Sequence, residues 1–288
     1  MHGVLIIDKP AGLSSRQVDN QIERLIGAAL RVGHAGTLDP FATGVLPVMV
    51  GEGTKLSKFL TGGAKTYAAE LSLGERTDTA DADGAVTATA AVPSLSEDAV
   101  RTAMAALTGA FAQVPPAYSA VKQGGRPLYK LARAGRVVEA APRMVQVDAW
   151  RLVALDAAAL RFEVDCASGT YVRTLGEQLA ERLGTVGHLK ALRRLRAGRF
   201  TLAQAQSLEA ALASPRLLPL REAVGLPELA LDAGRASWVA HGRAIDVLPG
   251  DPAGEEILAM DPAGRPVALL RRDQDRWRVS RGFAHFTE

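Results

Sequence analysis

Apolar positions along this chain follow two spacings. Val4 to Ile7 is an unbroken apolar run closed by Asp8, Lys9 and Pro10, which predicts a buried strand. Val18, Ile22, Leu25 and Ile26 recur at helical spacing behind Ser14 and Ser15, either of which can cap a helix, and Gly27 closes that stretch. V-L-P-V-M-V (45–50) predicts a second buried strand despite its proline, and the half-alternating T-Y-A-A-E-L-S-L (66–73) a third. The latter runs into a polar turn, E-R-T-D-T-A-D-A-D-G. Ser96 then caps a helix carrying Val100, Ala103, Met104, Leu107 and Phe111, with Glu97 and Asp98 placed to favour its first turn. Strands are expected at 144–154 and 160–166, and a helix over about 173–183 ending at Gly184.

Two stretches break this rhythm. Residues 114–143 are rich in Pro, Gly and basic side chains and predict an excursion from the core. Prolines 215, 219 and 227 punctuate a connector, beyond which 258–260, 266–270 and 277–279 are short strands separated by turn sequences. The pattern predicts an α/β domain over 1–228 and a small all-β module over 229–288.

Composition narrows the class. The balance of 48% apolar and 23% charged residues over 288 positions supports a sizeable core. The net charge of +3 names no polyelectrolyte partner, but its distribution does more, because residues 182–199 carry five arginines, one lysine and no acid. Such a block is either a solvated face or a phosphate-tracking surface. The single cysteine, Cys166, excludes an intrachain disulfide and points to a reducing compartment; within F-E-V-D-C-A it reads as a buried strand residue rather than a nucleophile. Asp8 and Lys9 interrupt the first apolar run too early for a signal peptide. No run approaches the ~18 residues of a membrane span, so a soluble, cytoplasmic protein is expected.

The chemistry concentrates in residues 33–48, G-H-A-G-T-L-D-P-F-A-T-G-V-L-P-V. One carboxylate, Asp39, and one imidazole, His34, sit among Gly33, Gly36 and Gly44. A tight turn with Asp39 bonding its own backbone before Pro40 is one reading. The other is a ligand loop, since the glycines permit positive φ and close approach. No paired His or Cys spacing for a metal occurs, and no glycine-rich phosphate cradle. A lone ionised carboxylate can still act as a nucleophile or proton acceptor.

This segment resembles the catalytic motif of the bacterial tRNA pseudouridine-55 synthases, the TruB family. The likeness extends to D-K-P-A-G-L-S-S (8–15), K-T-Y (65–67), L-G-E-R-T-D-T-A-D-A-D-G (73–84) and P-P-A-Y-S-A-V-K (115–122) with G-R-P-L-Y (125–129). It continues through C-A-S-G-T-Y-V-R-T-L (166–175) and H-L-K-A-L-R-R-L-R-A-G-R-F (188–200), so the ordered blocks cover most of residues 4–200. Ala35 and Ala167 depart from the common threonine and serine, and neither removes an ionisable group.

The resemblance implies an α+β pseudouridine-synthase core. Its central mixed sheet is largely antiparallel and flanked by helices, and a small PUA-like β-barrel follows at the C-terminus. It implies that Asp39 acts on the ribose of a uridine swung out of its stack, as nucleophile or as base. Arg173 would keep that carboxylate ionised. Tyr67 would stack on the flipped uracil, with Tyr171 and Leu192 walling the pocket. His34 would fill the gap left by the extruded base rather than serve as a general base. Lys9 and Pro10 would support the Asp39 loop, and Asp81 would position an arginine or meet the base edge.

Two basic sets gain a target in the tRNA T stem-loop: Lys190, Arg193, Arg194, Arg196 and Arg199, and, in the inserted loop, Lys122, Arg126, Lys130, Arg133 and Arg136. Most such contacts position RNA rather than read its sequence. Isomerisation imports no group and oxidises nothing, so no cofactor, metal, membrane or required protein partner is expected, and the chain should act as a monomer. The rivals are a guide-RNA-dependent pseudouridine synthase and a tRNA-folding chaperone.

Overall fold

A computed structural model describes residues 1–27, 29–116, 118, 122–123, 126–127 and 140–283, with backbone alone at 122–123 and 126–127. The apolar runs become neighbours in one ten-stranded mixed sheet. Its order from one edge is Gln206–Ser207, Gly3–Lys9, Thr43–Val50, Gly187–Ala197, Lys65–Leu73, Ala159–Cys166, Arg143–Asp156 and Gly109–Gln113. Val32–His34 and Phe200–Thr201 add to the third and fourth of these. All pairings in this sheet are antiparallel except Gln206–Ser207 on Gly3–Lys9 and Gly187–Ala197 on Thr43–Val50.

The central parallel joint depends on one glycine. Gly44 lies opposite Arg194 with φ at +103°, and a Cβ there would sit 2.2 Å from the Arg194 carbonyl oxygen. Only glycine fits such an approach.

Strand alternation then sorts side chains to two faces. On one face Leu5, Ile7, Leu46, Tyr67, Leu71 and Val164 meet Val18 and Ile22 of helix Ser15–Ile26 and Leu175 and Leu179 of helix Val172–Arg182. On the other, Val4, Ile6, Val45 and Met49 pack with Leu220, Val224, Leu258, Met260 and Leu269. The last three belong to a five-stranded C-terminal sheet, so that sheet shares a core with the large one. Lys55 Nζ also donates to the Gly282 carbonyl at 3.0 Å. The smaller sheet keeps a core of its own around Trp277, Ile257 and Val239.

Two expectations are corrected here. The helix capped by Ser96 spans Glu97–Ala105, and Gly109 at φ +95° turns the chain into strand Gly109–Gln113, which carries Phe111. The C-terminal part is not all β, because helix Ala233–Ala240 follows its first strand, Glu228–Ala230, capped by the Asp232 carboxylate accepting from Arg235 N at 2.8 Å. Its A-G-R-A-S-W-V-A sequence has no period-two alternation, which is why the strand pattern misses it. Cys166 is buried in its strand as expected, and burial pushes its thiol up to about 11. No helix among the described residues is long and apolar enough to cross a membrane.

Candidate active site

Asp39 stands in the loop between strands Val32–His34 and Thr43–Val50, and that loop is fastened to the chain's first motif. The Ser15 hydroxyl accepts from Leu38 N at 2.8 Å and donates to the Leu38 carbonyl at 3.0 Å. Lys9, fully buried, donates to the carbonyls of Leu13 (2.6 Å), Pro10 (2.8 Å) and Pro40 (3.2 Å). Gly12 N adds a bond to Pro40 O at 2.9 Å. Burial lowers the Lys9 ammonium to about 8, against the pull of the nearby Asp39 charge. Lys9 thus spans both loops, and Pro10 contributes its carbonyl.

Arg173 arrives from the first turn of helix Val172–Arg182. The residue before that helix, Tyr171, is gripped through its backbone by the buried Gln113, whose amide accepts from Tyr171 N at 2.9 Å and donates to Tyr171 O at 3.2 Å. The Arg173 guanidinium meets Asp39 with two nitrogens, Nε to Oδ2 at 2.9 Å and Nη2 to Oδ1 at 3.2 Å. It also donates to the Thr79 carbonyl (2.7 Å) and the Tyr118 carbonyl (2.8 Å) and lies 3.4 Å from Asp81. The arginine is 4% exposed, while the Asp39 side chain keeps 35% of its surface open. A buried cation therefore holds a carboxylate that still faces outward.

Asp81 meets this arginine from the acidic turn. Its carboxylate accepts from Thr79 Oγ1 at 2.5 Å and Asp83 N at 3.2 Å, and its carbonyl accepts from Thr77 Oγ1 at 2.7 Å. Ala80, just before it, takes φ +59°, a conformation disfavoured for a residue with a Cβ. Desolvation by the surrounding protein pushes the Asp39 carboxyl above its ordinary value. Arg173 opposes that shift, and the Asp81 charge reinforces it.

Tyr67 and Leu192 lie in the same apolar cluster as Leu38 and Ala42, which flank Asp39 in sequence. Burial raises the Tyr67 hydroxyl, with the Arg194 guanidinium working against the shift. A cavity of ≈680 Å³ opens beside the loop, walled by Gly12, Phe41, Thr43, Asp83 and Leu192. Asp39 itself is not part of that wall. The volume suffices for a nucleotide-sized ligand.

His34 ends strand Val32–His34 with both ring nitrogens engaged, Nδ1 with Asp19 Oδ2 at 2.7 Å and Nε2 with Thr37 Oγ1 at 3.1 Å.

The basic block is split by the strand that carries it. Arg193 faces Ala68 and Arg196 faces Thr66, whereas Arg194 lies opposite Tyr67 on the other side. Lys190 is well exposed and pairs with Glu70 at 2.9 Å. Arg193 forks onto Asp8 at 2.7 and 3.1 Å, and Arg196 bonds Thr66 Oγ1 at 3.0 Å. Arg199 is exposed, with its guanidinium against Gly225. Arg194 is a correction. It is 1% exposed and donates to the carbonyls of Val45 (2.7 Å) and Gly36 (2.8 Å), so it braces the Asp39 loop from beneath and does not present itself to a phosphate. The backbones at Lys122 and Arg126 form a two-stranded pair, while Lys130, Arg133 and Arg136 lie outside the described residues.

Three supporting residues escaped the sequence reading. Gln113 carried no local signal, and Asp8 stood in the D-K-P-A-G-L-S-S motif without a role of its own. Asp19 did, as a carboxylate inside the Val18–Ile22 apolar stripe. Among the described residues, no group of three or more His, Cys, Asp or Glu side chains could hold a metal ion.

Comparison with known proteins follows the same lines. The family model described as TruB family pseudouridylate synthase (N terminal domain) matches residues 23–172. The chain is 47% identical to the tRNA pseudouridine synthase B of Aromatoleum aromaticum over 250 residues, covering 84% of this chain and 80% of that one. It is 42% identical to the tRNA pseudouridine synthase B of Mycobacterium tuberculosis (strain H37Rv) over 283 residues, 96% and 94% of the two chains. Among solved structures, an H/ACA RNP bound to a substrate RNA containing 2'-deoxyuridine matches with TM-score 0.73 at 22% identity, over 98% of this chain and 85% of that one. A Cbf5-Nop10-Gar1 complex matches with TM-score 0.73 at 23% identity, over 98% and 84%. These two likenesses show a shared fold.

Proposed function

The chain belongs to the TruB family of pseudouridylate synthases, and from that premise we propose that it isomerises uridine-55 to pseudouridine in the T arm of tRNA. The carrying observation is the two-nitrogen grip of buried Arg173 on outward-facing Asp39. Opening the glycosidic bond calls for an ionised group at the ribose, and a fixed cation keeps this carboxylate ionised where desolvation would protonate it.

Extruding the base costs a few kcal/mol of lost stacking. Tyr67 supplies a replacement surface, Leu192 and Tyr171 bound the base, and His34 occupies the vacated space. Asp39 then either attacks C1′, giving an ester to the sugar, or removes the C2′ proton, giving a glycal. In both routes the freed uracil turns and rejoins through C5, and the C5 hydrogen leaves. The exposed cations Lys190 and Arg199, with Arg193 and Arg196, flank this site for the RNA backbone. Residues 1–228 form the catalytic domain and 229–288 a PUA-like RNA-binding domain. The enzyme works in the cytoplasm, as a monomer and without a protein partner.

Release of tritium from [5-³H]uridine-labelled T-arm RNA tests the reading directly. The chain should release it, and its Asp39→Asn form should not. If both forms merely assist tRNA folding and neither releases tritium, the chaperone reading replaces this one.

A further inference from the structure

Asp19 is 1% exposed, yet only one of its carboxylate oxygens is hydrogen-bonded. Oδ2 meets His34 Nδ1 at 2.7 Å, and Arg16 Nη1 lies 3.7 Å from the same oxygen. Oδ1 is buried without a hydrogen-bond partner. Helix Ser15–Ile26 places this carboxylate on its apolar side, beside Val18 and Ile22, where nothing in helix packing calls for an acid. A buried acid held by a single short bond is there for that bond.

The opposite edge of the His34 ring is also taken. Nε2 lies 3.1 Å from Thr37 Oγ1. A carboxylate only accepts, so Nδ1 carries a proton and donates to Asp19, while Nε2 shares a hydrogen bond with the Thr37 hydroxyl. The ring's proton at Nδ1 and its rotation are both set from outside it.

We propose that Asp19 is a positioning residue that sets the orientation of His34 for entry into the RNA stack. This rests on the wedge role given to His34 under the proposed function. A wedge gains from rigidity, because an imidazole already fixed in orientation loses little further freedom when it fills the gap left by a base. Asp19 does not touch the substrate. It acts through the ring it holds, and Thr37 completes the clamp.

Two measurements test this, and the first does not depend on catalysis. Nitrogen-15 correlation spectra of the free protein report whether Nδ1 of His34 bears a proton. The intact chain should show Nδ1–H, and Asp19→Ala should lose that signature. An Nδ1 without a proton in the intact chain, or no change in the variant, overturns the proposal whatever reaction the enzyme performs.

The second is a cycle on T-arm RNA under single-turnover conditions. Asp19→Ala should slow pseudouridine formation on the order of ten- to a hundredfold. Asp19→Asn, which can still accept from Nδ1, should restore most of the loss. In a His34→Ala background, Asp19→Ala should add nothing, since the group it positions is gone. An equal loss in both backgrounds would assign Asp19 to general stability and overturn the proposal. A chain that forms no pseudouridine at all would defeat the proposed function while leaving the spectroscopic result standing.

Discussion

Arg173 approaches Asp39 edge-on, with Nε 2.9 Å from one carboxylate oxygen and Nη2 3.2 Å from the other. That geometry makes a prediction a simple charge would not. Arg173→Lys keeps the cation but offers one point donor in place of a planar fork. It also forfeits the bonds to the Thr79 and Tyr118 carbonyls. Losing a charge-assisted bond costs about 1.5–3 kcal/mol, which corresponds to roughly 10- to 150-fold in kcat/KM. Tritium release should fall by that factor, and full activity in the lysine form would show that the fork is dispensable.

The Asp39 carboxyl sits above its ordinary value, and the pH profile should show it. With Asp39 acting in its ionised form, as proposed, the acid limb of kcat/KM should lie above the usual aspartate range. The Asp81 charge pushes in the raising direction. Asp81→Asn should therefore move the limb to lower pH, whatever it does to the maximal rate. Stability carries the opposite sign. A raised native value means the folded state holds the proton more tightly than the unfolded one, so this group's contribution declines as pH rises from the ordinary aspartate value through the raised one. Urea titrations over that window should lose this slope in Asp39→Asn.

Much of this arrangement can be read from the sequence, and the exceptions share a cause. Val4–Ile7 and the Val18–Ile22 stripe declare their elements because alternation and helical spacing are local properties. Asp39 stands out because the residues around it form a motif. Arg194 misled because a run of arginines reads as one patch until the strand's register is known. The pairing shifts register between Arg194 and Arg196, which leaves Arg193 and Arg196 on one face and Arg194 buried on the other. Asp19 gave a local sign, an acid in an apolar stripe, but its partner lies 15 residues away in a separate strand. Phe111 fitted a helical count, and Gly109 overrode it with a turn.

The two roles within the basic strand separate by measurement. Arg194→Met leaves the Val45 and Gly36 carbonyls without their guanidinium donors in a buried setting. It should cost about 2–4 kcal/mol in urea unfolding and leave the salt dependence of RNA affinity unchanged. Lys190→Ala should do the reverse. Stability should barely move, while the log–log salt slope should fall by about 0.7–0.9 for the lost phosphate contact. A reduced slope with unaltered stability in Arg194→Met would return that residue to the RNA surface.

Gly44 ties the two halves of the site together. A side chain there meets the Arg194 carbonyl oxygen at 2.2 Å with φ at +103°, so Gly44→Ala must force the Thr43–Val50 and Gly187–Ala197 strands apart. A forced φ alone costs roughly 1–2 kcal/mol, and the clash adds to it. The melting temperature should drop by well over the ~2 °C that 1 kcal/mol represents in a chain of this size. Activity should fall further than the folded fraction does, because Arg194 would no longer hold the Gly36 carbonyl of the Asp39 loop.

Lys9 provides a case in which stability and activity part company with pH. Burial lowers its ammonium from 10.5 to about 8, so between these values the folded state binds fewer protons than the unfolded one. Its contribution to stability therefore rises with pH across that window. Function should run the other way. The protonated amine has three donors for the carbonyls of Pro10, Leu13 and Pro40, and the neutral amine has two. Above about pH 8 the first motif and the Asp39 loop lose one of their shared bonds, and kcat should decline while unfolding becomes harder. Lys65 is lowered to about 8 as well, so the variant has to isolate Lys9. Lys9→Met should lower activity at neutral pH and remove the part of the alkaline decline that Lys9 causes. An undiminished alkaline limb in that variant would assign the titration to Lys65 or another group, and would reduce Lys9 to a packing role beneath the loop.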